Sequence, residues 1–80
     1  MAKVIVYSKP DCCLCDQMKQ QLRRLGIENQ FSLREVDILE DAEVFDRFKD
    51  HVPVVYINSR KVFKYRLDEK KFLEILARED

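Results

Sequence analysis

The sequence has no excess of charge of one sign, no long apolar run and few cysteines. Its 15 basic residues balance 15 acidic ones, which argues against nucleic acid as the main partner because a nucleic-acid-binding domain needs a net basic face. No stretch approaches the roughly 20 apolar residues that span a bilayer, so we expect no membrane partner. The first residues also lack the features of a signal peptide, and we therefore expect a cytoplasmic location.

The three cysteines, Cys12, Cys13 and Cys15, lie within four consecutive positions. Cysteines so close together cannot close loops of useful length, which excludes a structural disulfide framework. A reducing cytoplasm would not favour one either. The length of 80 residues corresponds to one domain with a thin core, and no repeat, low-complexity segment or linker divides it. We expect a single domain over 1–80.

Hydrophobic periodicity predicts an α/β protein with the element order βαβαββα. The opening βαβ unit implies parallel strands joined by a right-handed crossover, and Asn58-Ser59 connects the last two strands as a hairpin. The first helix is predicted over 12–25, with Asp11 as its N-cap and Gly26 as its C-terminal cap. The other predicted elements are strands over 3–7, 31–38, 54–57 and 61–65, a helix over 41–49 with Val44, Phe45 and Phe48, and a last helix capped by Asp68 that buries Phe72, Leu73, Ile75 and Leu76.

The motif that carries chemistry is Cys12-Cys13-Leu14-Cys15, which follows a strand and opens a helix. In this context a C-x-x-C is typical of a redox site. Cys12 lies in the first helical turn, where unpaired backbone N–H groups and the helix dipole stabilise the reactive thiolate. Cys15 follows one turn later on the same face and lies deeper, so we expect Cys12 to be the nucleophile and Cys15 the resolving thiol.

Other interpretations of these residues stay open. A lone C-x-x-C is also half of a zinc site, which only Cys13 and His51 are available to complete, and a fold can also lose its activity. Cys13 is either an incidental exposed thiol or a site of glutathionylation. We expect His51 to be a surface loop residue rather than a base or ligand, and Asp37 to be a carboxylate at a strand end rather than a proton acceptor for Cys15.

The run from Lys9-Pro10-Asp11 through Cys15, together with Val52-Pro53, resembles the glutaredoxins, and most closely the small glutaredoxin-like proteins. The resemblance covers essentially the whole chain. It implies a thioredoxin-like fold, a four-stranded mixed sheet flanked by helices, with Pro53 cis and lying against the cysteines. It also implies that the backbone of Val52 pairs with a bound thiol substrate and that Lys9 meets a glutathione carboxylate.

One stretch departs from the glutaredoxin pattern. Glutaredoxins carry a Gly-Gly pair and then an Asp after the last strand, and those amides hold a glutathione carboxylate. Here the matching stretch is Phe63-Lys64-Tyr65-Arg66, which has no glycine. Side chains with a Cβ are penalised at positive φ, so we expect no such anion nest. The region is instead basic, through Arg60, Lys61, Lys64, Arg66, Lys70 and Lys71.

The sequence therefore predicts a thiol–disulfide oxidoreductase that exchanges dithiols with protein or small-molecule disulfides. Cys12 and Cys15 are its catalytic residues, and Lys9, Val52 and Pro53 bind substrate. The electron donor is glutathione or an enzyme of the thioredoxin-reductase type, and no metal or other cofactor is expected. The alternatives are a module that binds a metal or an iron–sulfur cluster through the same cysteines, and a redox-inactive interaction domain.

Overall fold

The computed structural model describes residues 2–29 and 31–79, and its elements follow the predicted order. A short 3-10 turn, Ile38–Glu40, separates the second strand from the second helix. No helix in the described ranges is long and apolar enough to cross a bilayer. The bounds of the elements are β1 Lys3–Ser8, α1 Cys13–Asn29, β2 Ser32–Asp37, α2 Ala42–Phe48, β3 Val54–Ile57, β4 Arg60–Lys64 and α3 Glu69–Glu79.

The four strands form one mixed sheet in the order β2-β1-β3-β4. β1 pairs in parallel with β2 and antiparallel with β3, and β3 pairs antiparallel with β4. The hairpin between β3 and β4 turns at Asn58 and Ser59, both of which have positive φ, as a two-residue turn of type I′ requires. The predicted α/β architecture with a four-stranded mixed sheet is confirmed.

Alternation along the strands divides the apolar core between the two faces of the sheet. One face packs Val4 and Val6 of β1 against Met18 and Leu22 of α1 and Phe72 of α3. The opposite face carries a smaller cluster, which contains Cys15, Ile38, Phe48, Val52 and Val54, with Tyr7, Cys12, Val44 and Tyr56 packed against it. The two cysteines of the predicted redox pair thus belong to the smaller cluster.

The first helix differs from its prediction at both ends. It continues through Gly26 to Asn29, and Gly26 does not have positive φ, so the predicted glycine cap is wrong. Asp11 has a φ of 57° and precedes Cys12, the residue before the helix, so it is not the N-cap. The cap is the thiol of Cys12, which accepts a hydrogen bond from the Cys15 N–H.

The other elements shift by at most two residues. Asp41 caps α2 by accepting hydrogen bonds from the N–H groups of Glu43 and Val44. Asp68 caps α3 as predicted, since its carboxylate accepts from the Lys71 N–H. Leu73, predicted to face the core, is 37% exposed, because α3 turns Phe72 and Leu76 inward instead.

Candidate active site

Backbone N–H groups in the first turn of α1 donate hydrogen bonds to Cys12, one of them to its sulfur. The Cys15 N–H donates to the Cys12 Sγ over 3.2 Å, and the Asp16 N–H donates to the Cys12 carbonyl over 3.0 Å. The first N–H groups of a helix have no partner within the helix, and the dipole of this 17-residue helix places partial positive charge at the same point. Cys12 is half-buried and retains access to solvent, so its sulfur lies at this end of the helix within reach of a substrate.

Cys15 lies one turn further along α1 and is completely buried. Burial raises the pKa of its thiol to about 11, and a hydrogen bond between the thiol side chains of Cys15 and Cys12 and the charge of Cys12 act in the same direction. A backbone hydrogen bond from Lys9 and the charge of Lys19 lower the pKa but do not compensate. Cys15 therefore stays a neutral thiol near neutral pH, whereas Cys12 faces the helix donors.

Cys13 opens α1 and is exposed. Its side chain is outside the apolar cluster that contains Cys12 and Cys15. Lys9 is also exposed, and its backbone makes a hydrogen bond with the Cys15 thiol. Lys9 therefore lies next to the cysteine pair and is in contact with solvent.

The peptide bond between Val52 and Pro53 is cis, as the resemblance implies. Both residues are buried, and Val52 belongs to the same apolar cluster as Cys12 and Cys15. Outside the helices and strands, no backbone hydrogen bond among the described residues uses the N–H or the C=O of Val52. These two backbone groups are available to pair with an extended segment that lies beside the cysteines.

Tyr65, in the turn after β4, has a φ of 70°. Positive φ thus occurs in this stretch although it contains no glycine. The Arg66 N–H donates to the Lys64 carbonyl over 2.8 Å, which makes a γ-turn of the rare, strained kind with positive φ at its centre. The Tyr65 N–H donates to the Pro53 carbonyl over 2.8 Å, and its hydroxyl donates to the Asp50 carbonyl over 3.0 Å.

Those contacts hold the strained turn in place, and they also occupy its amides. The N–H groups of Tyr65 and Arg66 both have backbone acceptors, so neither points freely at an anion. The amides of these two residues therefore offer no nest for a carboxylate, and the absence of a nest expected at Phe63 and Lys64 stays a prediction. The turn lies at the edge of a groove of about 250 Å³ next to the cysteine motif, lined by Leu14, Gln17, Met18, Gln21, Tyr65, Arg66 and Leu67.

The two remaining candidates lie apart from this chemistry. His51 is exposed, and its backbone N–H continues the end of α2 by donating to the Phe48 carbonyl. The Asp37 carboxylate accepts from the Leu39 N–H and so begins the 3-10 turn. Over 2–29 and 31–79, no three His, Cys, Asp or Glu side chains are grouped in a way that could hold a metal ion.

Comparison with known families now assigns the chain. The family model described as the glutaredoxin-like domain (DUF836) matches residues 3–77. The chain belongs to this family. A curated relative of this glutaredoxin-like domain, the glutaredoxin-like protein YDR286C homolog of Dictyostelium discoideum, is 34% identical over 82 residues, which cover 91% of the chain and 76% of the relative.

Solved structures place the glutaredoxin-like domain in the thioredoxin fold. Protein Ne2328 from Nitrosomonas europaea is 26% identical, with a TM-score of 0.77 over 92% of this chain and 89% of that one. The thioredoxin of Fasciola hepatica shares the fold at 16% identity, with a TM-score of 0.66 over 99% of this chain and 81% of that one. The resemblance to small glutaredoxin-like proteins and the thioredoxin-like fold class are both confirmed.

Two features of the site were missed by the sequence analysis. The thiol of Cys12 caps α1, although the neighbouring Asp11 is of a residue type that is much commoner at helix caps. Tyr65 takes a conformation for which Gly or Asn is the usual sequence signal, and neither occurs there. A cysteine directly before the first helical residue was the only available signal for the first feature, and the sequence offers none for the second.

Proposed function

We propose that this glutaredoxin-like domain is a dithiol oxidoreductase that reduces disulfides of proteins or small molecules, with Cys12 as nucleophile and Cys15 as resolving thiol. The observation that carries the proposal is the hydrogen bond from the Cys15 N–H to the Cys12 Sγ, 3.2 Å long. It stabilises negative charge on the accessible sulfur, while the second sulfur remains buried and protonated. The proposed setting is a reducing compartment such as the cytoplasm.

The exchange proceeds in two displacements. The Cys12 thiolate attacks one sulfur of the substrate disulfide, that S–S bond breaks, and the departing thiolate takes a proton from solvent. Cys15 then loses its proton and attacks the Cys12 sulfur, which releases the second substrate thiol. The substrate gains two electrons and two protons, and the domain is left with a Cys12–Cys15 disulfide that an external dithiol or two glutathione molecules reduce.

The buried thiol becomes more acidic at the moment when it has to act. In the reduced domain, the hydrogen bond and the charge of Cys12 help to raise the pKa of Cys15. Once Cys12 is part of a mixed disulfide it has no negative charge, so both contributions disappear, and of the causes that raise the pKa only burial remains. Cys15 is therefore protected before substrate binds and activated after the first displacement.

Three cysteine variants test the proposal. Cys12→Ser should abolish the reduction of a small neutral disulfide, and Cys15→Ser should accumulate a mixed disulfide that mass spectrometry detects. Cys13→Ser is the matched control, because Cys13 is exposed and outside the cluster, and it should retain both turnover and the Cys12–Cys15 disulfide. Full turnover in Cys12→Ser would contradict the proposal, and loss of the disulfide in Cys13→Ser would mean that all three thiols take part.

A further inference from the structure

A pocket of about 220 Å³ opens on the α2 side of the sheet, between the end of α2 and the edge strand β4. Its rim carries three side chains that are cationic at neutral pH, Arg47, Lys61 and Lys64, together with the imidazole of His51. No carboxylate lines it. In a chain with no net charge, this basic pocket is a local concentration of positive charge.

An irregularity in the strand pairing brings the two lysines together. Positions 61 and 64 are an odd number apart, so regular alternation would put them on opposite faces of β4. The register shifts between Val55 and Tyr56, and Lys61 pairs with Tyr56 while Lys64 pairs with Val54. Paired residues share a face, so the extra residue in β4 aims both lysines at α2, as β-bulges commonly redirect side chains.

The cations on this rim are not neutralised by neighbours. Elsewhere, Arg23 pairs with Glu35 and Arg24 with Glu69, but within 2–29 and 31–79 no salt bridge involves Arg47, Lys61 or Lys64. Arg47 lies 5.4 Å from the centre of the Phe48 ring, which holds its guanidinium over an aromatic face. An unopposed positive potential in a concave site attracts an anionic group.

The basic pocket adjoins the cysteines through its floor. The floor is Phe48, Val54 and Tyr56, and these three side chains belong to the apolar cluster in which Cys12 and Cys15 also lie. His51, on the rim, directly precedes Val52 in the chain. A substrate segment held by the backbone of Val52 would therefore place a flanking side chain at the basic pocket.

The size of the pocket indicates what occupies it. Sites for small molecules typically measure about 300–1,000 Å³, and the basic pocket is smaller, at about 220 Å³. That space suits one anchoring side chain, with its aliphatic part on the aromatic floor and its charge at the rim. We propose that the basic pocket selects protein disulfides that carry an acidic residue beside the target cysteine, a specificity that rests on the proposed exchange activity.

Single-turnover kinetics with matched peptides test this selection. Each peptide carries its cysteine as a disulfide with neutral thiopyridine, whose release is followed by absorbance, and the peptides differ only in a flanking Glu, Gln or Lys. The reduced Cys13→Ser domain should react with the Glu peptide about fivefold faster than with the Gln peptide, since two or three exposed charge pairs contribute modestly. The preference should fall as salt is added, because exposed charges are screened.

Charge reversal at the rim locates the preference. The ratio of the Glu rate to the Lys rate should drop to one or below in Lys61→Glu/Lys64→Glu, and it should be unchanged in the control Lys70→Glu/Lys71→Glu, whose lysines are exposed on α3. A ratio that survives in the rim variant would overturn the proposal by placing the selection elsewhere. If the rim variant does not fold, the salt dependence of the Glu-peptide preference in the Cys13→Ser domain decides instead, and a preference that salt does not reduce would overturn the proposal.

A neutral small disulfide separates this proposal from the activity that it rests on. Reaction of the Cys13→Ser domain with dithiodipyridine, combined with equal rates for all three peptides, would remove the basic pocket as a specificity site and leave the exchange activity standing. No reaction with dithiodipyridine would remove both. The proposal is supported if the Glu peptide reacts fastest and if this preference is lost in the rim variant but kept in the Lys70→Glu/Lys71→Glu control.

Discussion

Two cysteines three positions apart have opposite environments at the scale of single residues. The half-buried sulfur of Cys12 accepts a hydrogen bond at the positive end of α1, whereas Cys15 is sealed in the apolar cluster beneath it. The Cys12 sulfur thus lies at the helix end within reach of solvent, and the Cys15 sulfur does not. The proposed division of roles follows from position, because the two side chains are chemically identical.

Removing the Cys12 sulfur should make Cys15 more acidic. Its hydrogen bond and its charge both raise the pKa of Cys15, which is about 11 in the reduced domain. In Cys12→Ala, on a Cys13→Ser background, the thiolate absorbance of Cys15 should appear at lower pH than the upper titration step of the Cys13→Ser parent. It should still lie above the ordinary value for a thiol, since burial is the largest cause.

The parent contains two interacting thiols, so its two steps belong to the pair, and the comparison uses only the upper step. An unchanged upper step would show that burial alone sets the pKa of Cys15. A shift to higher pH would mean that Cys12 stabilises the Cys15 thiolate, which is opposite to the proposed resolving mechanism.

At the scale of elements, α1 connects the cysteine motif to the main core. It begins at the cysteines and buries Met18, Leu22 and Leu25 on one face, and it passes through Gly26 without a break. Glycine inside a helix is unfavourable because its unfolded backbone has more freedom to lose. The longest helix of the described residues thus contains, at Gly26, a residue with low helix propensity.

Gly26→Ala should stabilise the domain by about 0.5–1 kcal/mol. Gly26 lacks positive φ, and a Cβ added there would meet only the Phe31 ring at 3.6 Å, which is ordinary contact. Urea unfolding followed by circular dichroism measures the change. Gln20→Ala, at an exposed position of the same helix, is the control and should change the free energy of unfolding by a few tenths of a kcal/mol.

The sign of this result distinguishes two structures for the end of α1. A glycine that capped the helix at positive φ would make Ala destabilising. Loss of stability in Gly26→Ala would therefore restore the sequence-based cap and shorten the helix to about residue 25.

For the molecule as a whole, the cysteines lie at the end of the sheet where the central strand β1 finishes. The C-terminal end of β1 leads to the motif, Tyr7 pairs with Val54, and Val54 pairs with Lys64. The groove beside Leu14 adjoins the cluster on one face of the sheet, and the basic pocket adjoins the cluster on the opposite face. Val52, which shares an apolar cluster with the floor of the basic pocket, has an unused backbone N–H and C=O among the described residues.

This arrangement predicts poor use of glutathione as electron donor. The amides of Tyr65 and Arg66 already have backbone acceptors, and exposed side chains such as Lys9 and Arg66 add only about 0–1 kcal/mol per ion pair. Turnover of one disulfide substrate should be faster with dithiothreitol or a thioredoxin-reductase system than with glutathione at equal reducing equivalents. Turnover with glutathione that matches dithiothreitol would show that side chains have replaced the missing nest.

The sequence by itself determined the order of elements and the fold class, and it predicted the cysteine pair that we propose for exchange. Apolar residues at helical spacing from Cys15 to Leu25, and short β-branched strands bounded by turn residues, are local signals that no tertiary contact has to supply. The cysteine spacing likewise fixes which sulfurs are neighbours, because residues three apart on a helix share a face. Val52-Pro53 was recognisable only through the family resemblance.

Only the tertiary structure decided the features that depend on contacts between distant segments. Tyr65 adopts positive φ because its amide and hydroxyl bind the segment that carries Asp50 and Pro53, and those bonds offset a local penalty that the sequence alone predicts to prevail. Lys61 and Lys64 share a face because strand pairing inserts an extra residue. Local preferences are small energies, and long-range contacts that act together outweigh them.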